Sequence, residues 1–164
     1  GKPNSTDPPQ IHARVVAPEG LAFCGYGNLL LSGDQTGIDD EIVVNNGTLM
    51  LGSLDGAAKA QIDADVRIVS GASTVKVNVP GTLNRVNVRF DDVDRFSGKL
   101  ELPAGKTETC RMLFIGEGED SMPRGTYGSS ASAAEFVDDA HFTGTGVLAV
   151  TRDSRIAPSV ISIR

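Results

Sequence analysis

Residues 28–52 constrain this chain more than any other stretch. Three apolar runs, Leu29-Leu30-Leu31, Ile42-Val43-Val44 and Leu49-Met50-Leu51, are separated by Gly, Asn, Asp and Ser, residues that turn a chain at little steric cost. Each run is too short for helical periodicity, and glycines interrupt every window in which apolar residues would recur at three and four. The stretch therefore reads as strands. A unit of it, Gly-x-[Leu/Val]-x-[Leu/Val], returns along the chain: Gly27-Asn-Leu-Leu-Leu, Gly47-Thr-Leu-Met-Leu, a looser copy after Gly71 with Val75, Val77 and Val79, Gly98-Lys-Leu-Glu-Leu and Gly146-Val-Leu-Ala-Val. Successive glycines keep a nearly constant interval from Gly27 to Gly98, and the longer gap from Gly98 to Gly146 is two such intervals.

A second apolar run precedes the glycine in most copies, so each period carries two short strands and two turns. That period is what one coil of a parallel β-solenoid requires, with side chains at alternate positions pointing inward and stacking in columns. The expected fold is all-β, a right-handed parallel β-helix over residues 27–151, with Leu49, Leu51, Val75, Val77, Leu100, Leu102, Leu148 and Val150 facing inward. The alternative is an antiparallel β-sandwich, which shares the short strands and Gly-rich turns but needs no fixed period. Residues 1–10, polar with three prolines, are expected to be a flexible leader or linker. Residues 11–26 supply an N-terminal strand, alternating from Ile11 to Val16, and a cap. Residues 152–164 supply a last strand near 159–163 that folds back over the final coil.

Residues 27–52 resemble the passenger-associated repeat of bacterial autotransporters and related secreted β-helix proteins, on Leu31-Ser32-Gly33, Thr36-Gly37 and Val44-Asn45-Asn46-Gly47-Thr48-Leu49. The C-terminal part is similar to the segment that often follows such repeats, on Gly98 to Gly105, Pro123-Arg124-Gly125-Thr126-Tyr127-Gly128 and Phe142-Thr143-Gly144-Thr145-Gly146. The resemblance implies a secreted or cell-surface location and a β-helix, but no single activity. Residues 1–164 hold no membrane-barrel domain after the repeats, so self-export is not among the expectations, and Cys110 stands in a strand where such repeats seldom carry cysteine. The chain does not begin with Met and is expected to be a processed product or an excised fragment, its partners being the remainder of a longer polypeptide or a cell-surface molecule.

A formal net charge of −6 argues against a nucleic-acid or anionic-membrane partner, because phosphate neutralisation needs clustered Lys and Arg. No run approaches the length of a transmembrane helix. No cofactor or metal site is expected. Asp91-Asp92-Val93-Asp94 fails the EF-hand register, since counting from Asp92 puts Phe96 at position five and Gly98 at seven; Asp39-Asp40-Glu41 and Asp138-Asp139 read as solvated turns. Glycoside hydrolysis needs converging carboxylates and, usually, aromatic platforms, yet Trp is absent and the tyrosines are Tyr26 and Tyr127 alone. The period supplies roughly five or six coils where a long cleft takes about seven.

No Gly-x-Ser-x-Gly elbow is present, and Ser129-Ser130-Ala131-Ser132 reads as a flexible turn. His12 is expected to face solvent, and His141, beside Asp138 and Asp139, to form a hydrogen-bonded corner with no nucleophile. The segment 116–128, with Glu117, Glu119, Asp120 and Arg124, is expected to be a loop longer than the other turns; it breaks the repeat and is where a recognition surface would be sought first. Cys24 and Cys110 are separated by between three and four periods. In a regular stack that puts their α-carbons about 15 to 19 Å apart, beyond the roughly 7 Å of a disulfide, so free thiols are expected unless residues 21–26 leave the stack. The functional expectation is a non-catalytic structural or display module, with an accessory part of a carbohydrate-active enzyme as the alternative. A free-standing polysaccharide-binding module ranks third for want of aromatics.

Overall fold

The computed structural model describes residues 10–11, 14–91 and 98–154, the first two by backbone alone. The described residues form strands, turns and bends without a helix, and their strands join in mostly parallel sheets. One sheet of six strands runs Gln10–Ile11, Asn28–Leu31, Gly47–Leu51, Ser73–Val77, Lys99–Glu101 and Phe142–Thr143 in spatial order. A second, of five, runs Leu21–Cys24, Glu41–Asn45, Asp65–Ile68, Val88–Phe90 and Leu113–Ile115. Every ladder in both is parallel. This pairing is not that of an antiparallel sandwich.

The register repeats in step with the sequence unit. Leu29 pairs with Leu49, Leu49 with Val75 and Val75 with Leu100, so each pairing advances the chain by about one period. The second sheet advances by the same step, Leu21 pairing with Ile42, Ile42 with Val66, Val66 with Val88 and Val88 with Leu113. Period-two alternation then stacks like on like: Ile42, Val66, Val88 and Leu113 are all fully or almost fully buried, as are Leu49, Val75, Leu100 and Phe142. A single apolar cluster joins these two sets with Leu148 and Val150.

The turn between the sheets is written into Asn46-Gly47, where both residues adopt left-handed φ values of 71° and 75°. Asn46 is the one non-glycine residue with positive φ among those described, and it is held from both sides. Its N–H donates to Ser73 Oγ at 2.9 Å, and its Oδ1 accepts from the Ser70 hydroxyl at 3.0 Å. Gly98 is required for another reason: a Cβ there would run into Ile68 Cγ2 and lie 2.9 Å from the Ser70 carbonyl.

Three expectations need correction. The eight residues expected to face inward are all buried, but Leu148 and Val150 do not extend the Leu49–Val75–Leu100 column. Phe142 takes that place, and Val147–Val150 lies in a four-stranded sheet, parallel to Thr107–Cys110 and antiparallel to Gly125–Gly128. Alternation reports which face of a strand is covered, not which strand is its neighbour. The segment 116–128 is not all loop either, since its last four residues are that antiparallel strand. The strand expected from Ile11 to Val16 is interrupted at Arg14 and Val15, where the Val15 N–H donates to Gln35 Oε1 at 3.2 Å, and Val16–Ala17 is a separate short strand. Residues 1–9, His12 and 155–164, with the expected terminal strand, lie outside the described residues.

Candidate functional site

A polar concavity lies where three segments of chain run side by side. Gly33–Asp34 pairs in parallel with Ala60–Gln61, the Gln35 N–H donates to the Gln61 carbonyl at 2.9 Å, and residues 81–85 lie next along. Together they line a cavity of about 290 Å³ with Thr36, Lys59, Asp63, Thr82, Asn84 and Arg85. Ile62, buried in the core, anchors the middle segment. Thr36 gives both its N–H and its hydroxyl to Asp34 Oδ1, at 3.0 and 2.6 Å, and these bonds hold the Asp34 carboxyl below the usual range.

Behind this wall sits Glu108, the buried carboxylate of strand Thr107–Cys110. Its Oε2 accepts the Gly81 N–H at 2.7 Å and its Oε1 the Leu83 N–H at 2.8 Å, so one side chain fixes the turn that forms one side of the cavity. Burial raises its pKa above the ordinary value, opposed by the backbone donors of Leu83 and Gly81. Two positions on, the Cys110 thiol is pushed up to about 12 by burial and then by the Glu108 charge, which makes it an inert core thiol. Gln35 serves a similar structural purpose: fully buried, it donates from Nε2 to the Ser32 carbonyl at 2.9 Å while accepting from Val15.

A second cavity, of about 300 Å³, lies between Lys76, Asn78, Glu101, Pro103 and Thr145. Its charges are already spent on one another, with Lys76 Nζ 2.6 Å from Glu101 Oε1.

His141 forms the corner expected of it. Its Nδ1 lies 2.6 Å from Asp138 Oδ2, its ring packs against Phe90 at 4.7 Å between centroids, and Asp138 Oδ1 accepts the Ala140 and His141 N–H groups. Ser129 is buried and donates to the Gly144 carbonyl at 2.6 Å, and Ser132 N–H closes on the Ser129 carbonyl, so this serine run is a hydrogen-bonded turn and not a loose one. Asp139 is held below the usual carboxylate range by hydrogen bonds from Ser130. Of the acidic runs, Asp91 is paired with Arg67 at 2.8 Å, Glu41 lies 3.6 Å from the same guanidinium, and Asp39 and Asp40 are exposed. Asp92 and Asp94 lie outside the described residues. Among the described residues no three of His, Cys, Asp and Glu converge as metal ligands.

The segment 116–124 is tied down at Ser121, which exchanges two hydrogen bonds with Ser154, at 2.9 and 2.7 Å, while Glu117, Glu119, Asp120 and Arg124 stay exposed. Tyr127 is a core residue, its hydroxyl donating to the Pro123 carbonyl at 2.8 Å, whereas Tyr26 is 95% exposed. Cys24 is exposed and Cys110 buried, and both are free thiols. Among the described residues no helix is long and apolar enough to cross a membrane.

Neither the polar cavity nor Glu108 was evident from the sequence. For Glu108 a signal existed: in Thr107-Glu108-Thr109-Cys110 it shares parity with an inward cysteine. For the cavity there was none, because Thr36, Lys59 and Arg85 come from three segments whose side-by-side placement depends on register. The chain matches no protein-family model, no curated protein and no solved structure among those with which it was compared.

Proposed function

We propose that this chain is a structural or display module: a right-handed parallel β-helix segment of a secreted or cell-surface protein, of the kind its resemblance to autotransporter passenger repeats implies. The observation that carries the reading is the register. Partners about one sequence period apart recur in two separate parallel sheets, as successive coils of one solenoid would give. The buried polar side chains support it as well, because Gln35, Ser73, Glu108 and Ser129 each hydrogen-bond backbone groups of a turn and so serve the scaffold. A stack of this kind offers rigidity along its axis, with each coil templating the next.

The experiment is replacement. In the intact polypeptide, residues 27–151 are exchanged for an unrelated parallel solenoid with the same number of coils. The expected result is unchanged surface level and unchanged activity of the whole. Loss of activity at normal surface level would overturn the reading in favour of a chain whose own surface acts, as the accessory part of a carbohydrate-active enzyme would.

A further inference from the structure

We infer that the cavity of about 290 Å³ between residues 33–36, 59–63 and 81–85 is a binding site for a small hydroxylated oxyanion, one carboxylate or phosphate group on a carrier of about the size of a sugar ring. A structural module needs no ligand there, so the inference goes beyond the proposed function. Three observations meet at this place.

The first is uncommitted positive charge. Lys59 and Arg85 both line the cavity, and among the described residues no ion pair engages either of them or Asp63. The second cavity is the internal contrast, since its lysine is bonded to Glu101 at 2.6 Å. A guanidinium and an ammonium on one wall are the donors that recognise a carboxylate or phosphate, the first through its planar fork and the second as a point charge.

The second is the rest of the lining. Gln61 and Asn84 present amide groups; the Thr36 and Thr82 hydroxyls, whose hydrogens go to Asp34 and to the Val79 carbonyl, are left as acceptors, and Asp63 adds another acceptor suited to a ligand hydroxyl. Such a wall fits a polar carrier and not an apolar one. At about 290 Å³ the space falls at the lower end of ligand cavities, roughly 300 to 1,000 Å³, which favours a single ring.

The third is that the wall is built in advance. The 81–83 turn is locked by Glu108 from the core side and the 33–36 turn by Gln35 and Asp34, so ligand binding need not order them. The two cations stand on the solvent side of these locks, and both are exposed, so replacing them should leave the fold intact.

The test is calorimetric or NMR titration of the full chain with three probes on one scaffold: glucose, glucuronate and glucose 6-phosphate. The acidic probes are expected to bind at least about tenfold more tightly than glucose, because charge-assisted bonds exceed neutral ones. Arg85→Gln and Lys59→Gln are each expected to weaken the better acidic probe about tenfold or more, while Lys106→Gln, which is not part of the cavity lining, does not. Whichever acidic probe binds tighter names the oxyanion. Equal binding of glucose, unaltered affinity in Arg85→Gln and Lys59→Gln, or no binding of any probe up to about 10 mM, a limit of weak association, would each overturn the inference. Thermal unfolding of the variants, expected unchanged, separates loss of the site from loss of the scaffold.

Discussion

Leu100 lies in Lys99–Glu101, the fifth strand of the six-stranded sheet, and its truncation tests the inward register of that strand. Its side chain is fully buried, and it pairs with Val75 on one side and Phe142 on the other. Leu100→Ala deletes three carbons, about 2.4 kcal/mol at roughly 0.8 kcal/mol each. It also opens a cavity that flanking ladders keep from collapsing, which brings the expected loss to about 3 to 4 kcal/mol. Against a total of about 5 to 15 kcal/mol this is a large fraction, and it corresponds to a fall of roughly 6 to 16 °C in Tm for a chain of this size. Leu100→Asp goes further, placing a charge with no partner among methyl groups, and is expected to abolish cooperative unfolding. The control is the next residue. Glu101 points to the other face, where it pairs with Lys76 and both side chains are partly exposed, and Glu101→Ala is expected to cost under about 1 kcal/mol. Urea unfolding followed by circular dichroism reads all three. Equal losses in Leu100→Ala and Glu101→Ala, or less than about 1 kcal/mol for Leu100→Ala, would refute the alternation on which the inward column rests.

Burial raises the pKa of Glu108, so its stabilising contribution is fully present below the ordinary value of 4.5 and is lost as pH rises through the folded value. Glu108→Gln sets an amide NH₂ against one of two backbone donors and is expected to cost about 1 to 3 kcal/mol, while removing that pH dependence. Between about pH 4 and about pH 8 the urea midpoint should therefore fall more for the parent chain than for the variant, and parallel profiles would count against the assignment. Alkylation without reductant is expected to add one label to the native chain, at exposed Cys24, and a second only on denaturation, when Cys110 is released from the core; no label at all would mean a disulfide. Gly98→Ala drives a methyl group against Ile68 and Ser70 and is expected to cost about 1 to 3 kcal/mol. Gly118→Ala, whose new methyl group would meet only the Asp120 amide nitrogen at 3.9 Å, should be neutral by the same denaturation assay.

What the sequence determined by itself was local and periodic. Turn residues between short Val- and Leu-rich runs required strands, the recurring glycine required a repeat, and parity chose the buried face: Leu49, Val75, Leu100 and Leu148 are all inside. The Asp138–His141 corner was legible because its members lie within one turn of chain. Tertiary structure alone decided which strands became neighbours. Gly146-Val147-Leu148-Ala149-Val150 carries the same pattern as Gly98-Lys99-Leu100-Glu101-Leu102, yet Phe142 takes the place beside Leu100 and Val147–Val150 joins another sheet. An inserted strand, Gly125–Gly128, runs antiparallel to it and captures its edge. The polar cavity belongs to the same category. Lys59 and Arg85 stand about one period apart, and nothing in their local sequence marks them. They share a wall because backbone hydrogen bonds set one segment beside the next in a particular register, and register is fixed by burying a whole apolar face at once, a sum over many residues that no single motif records.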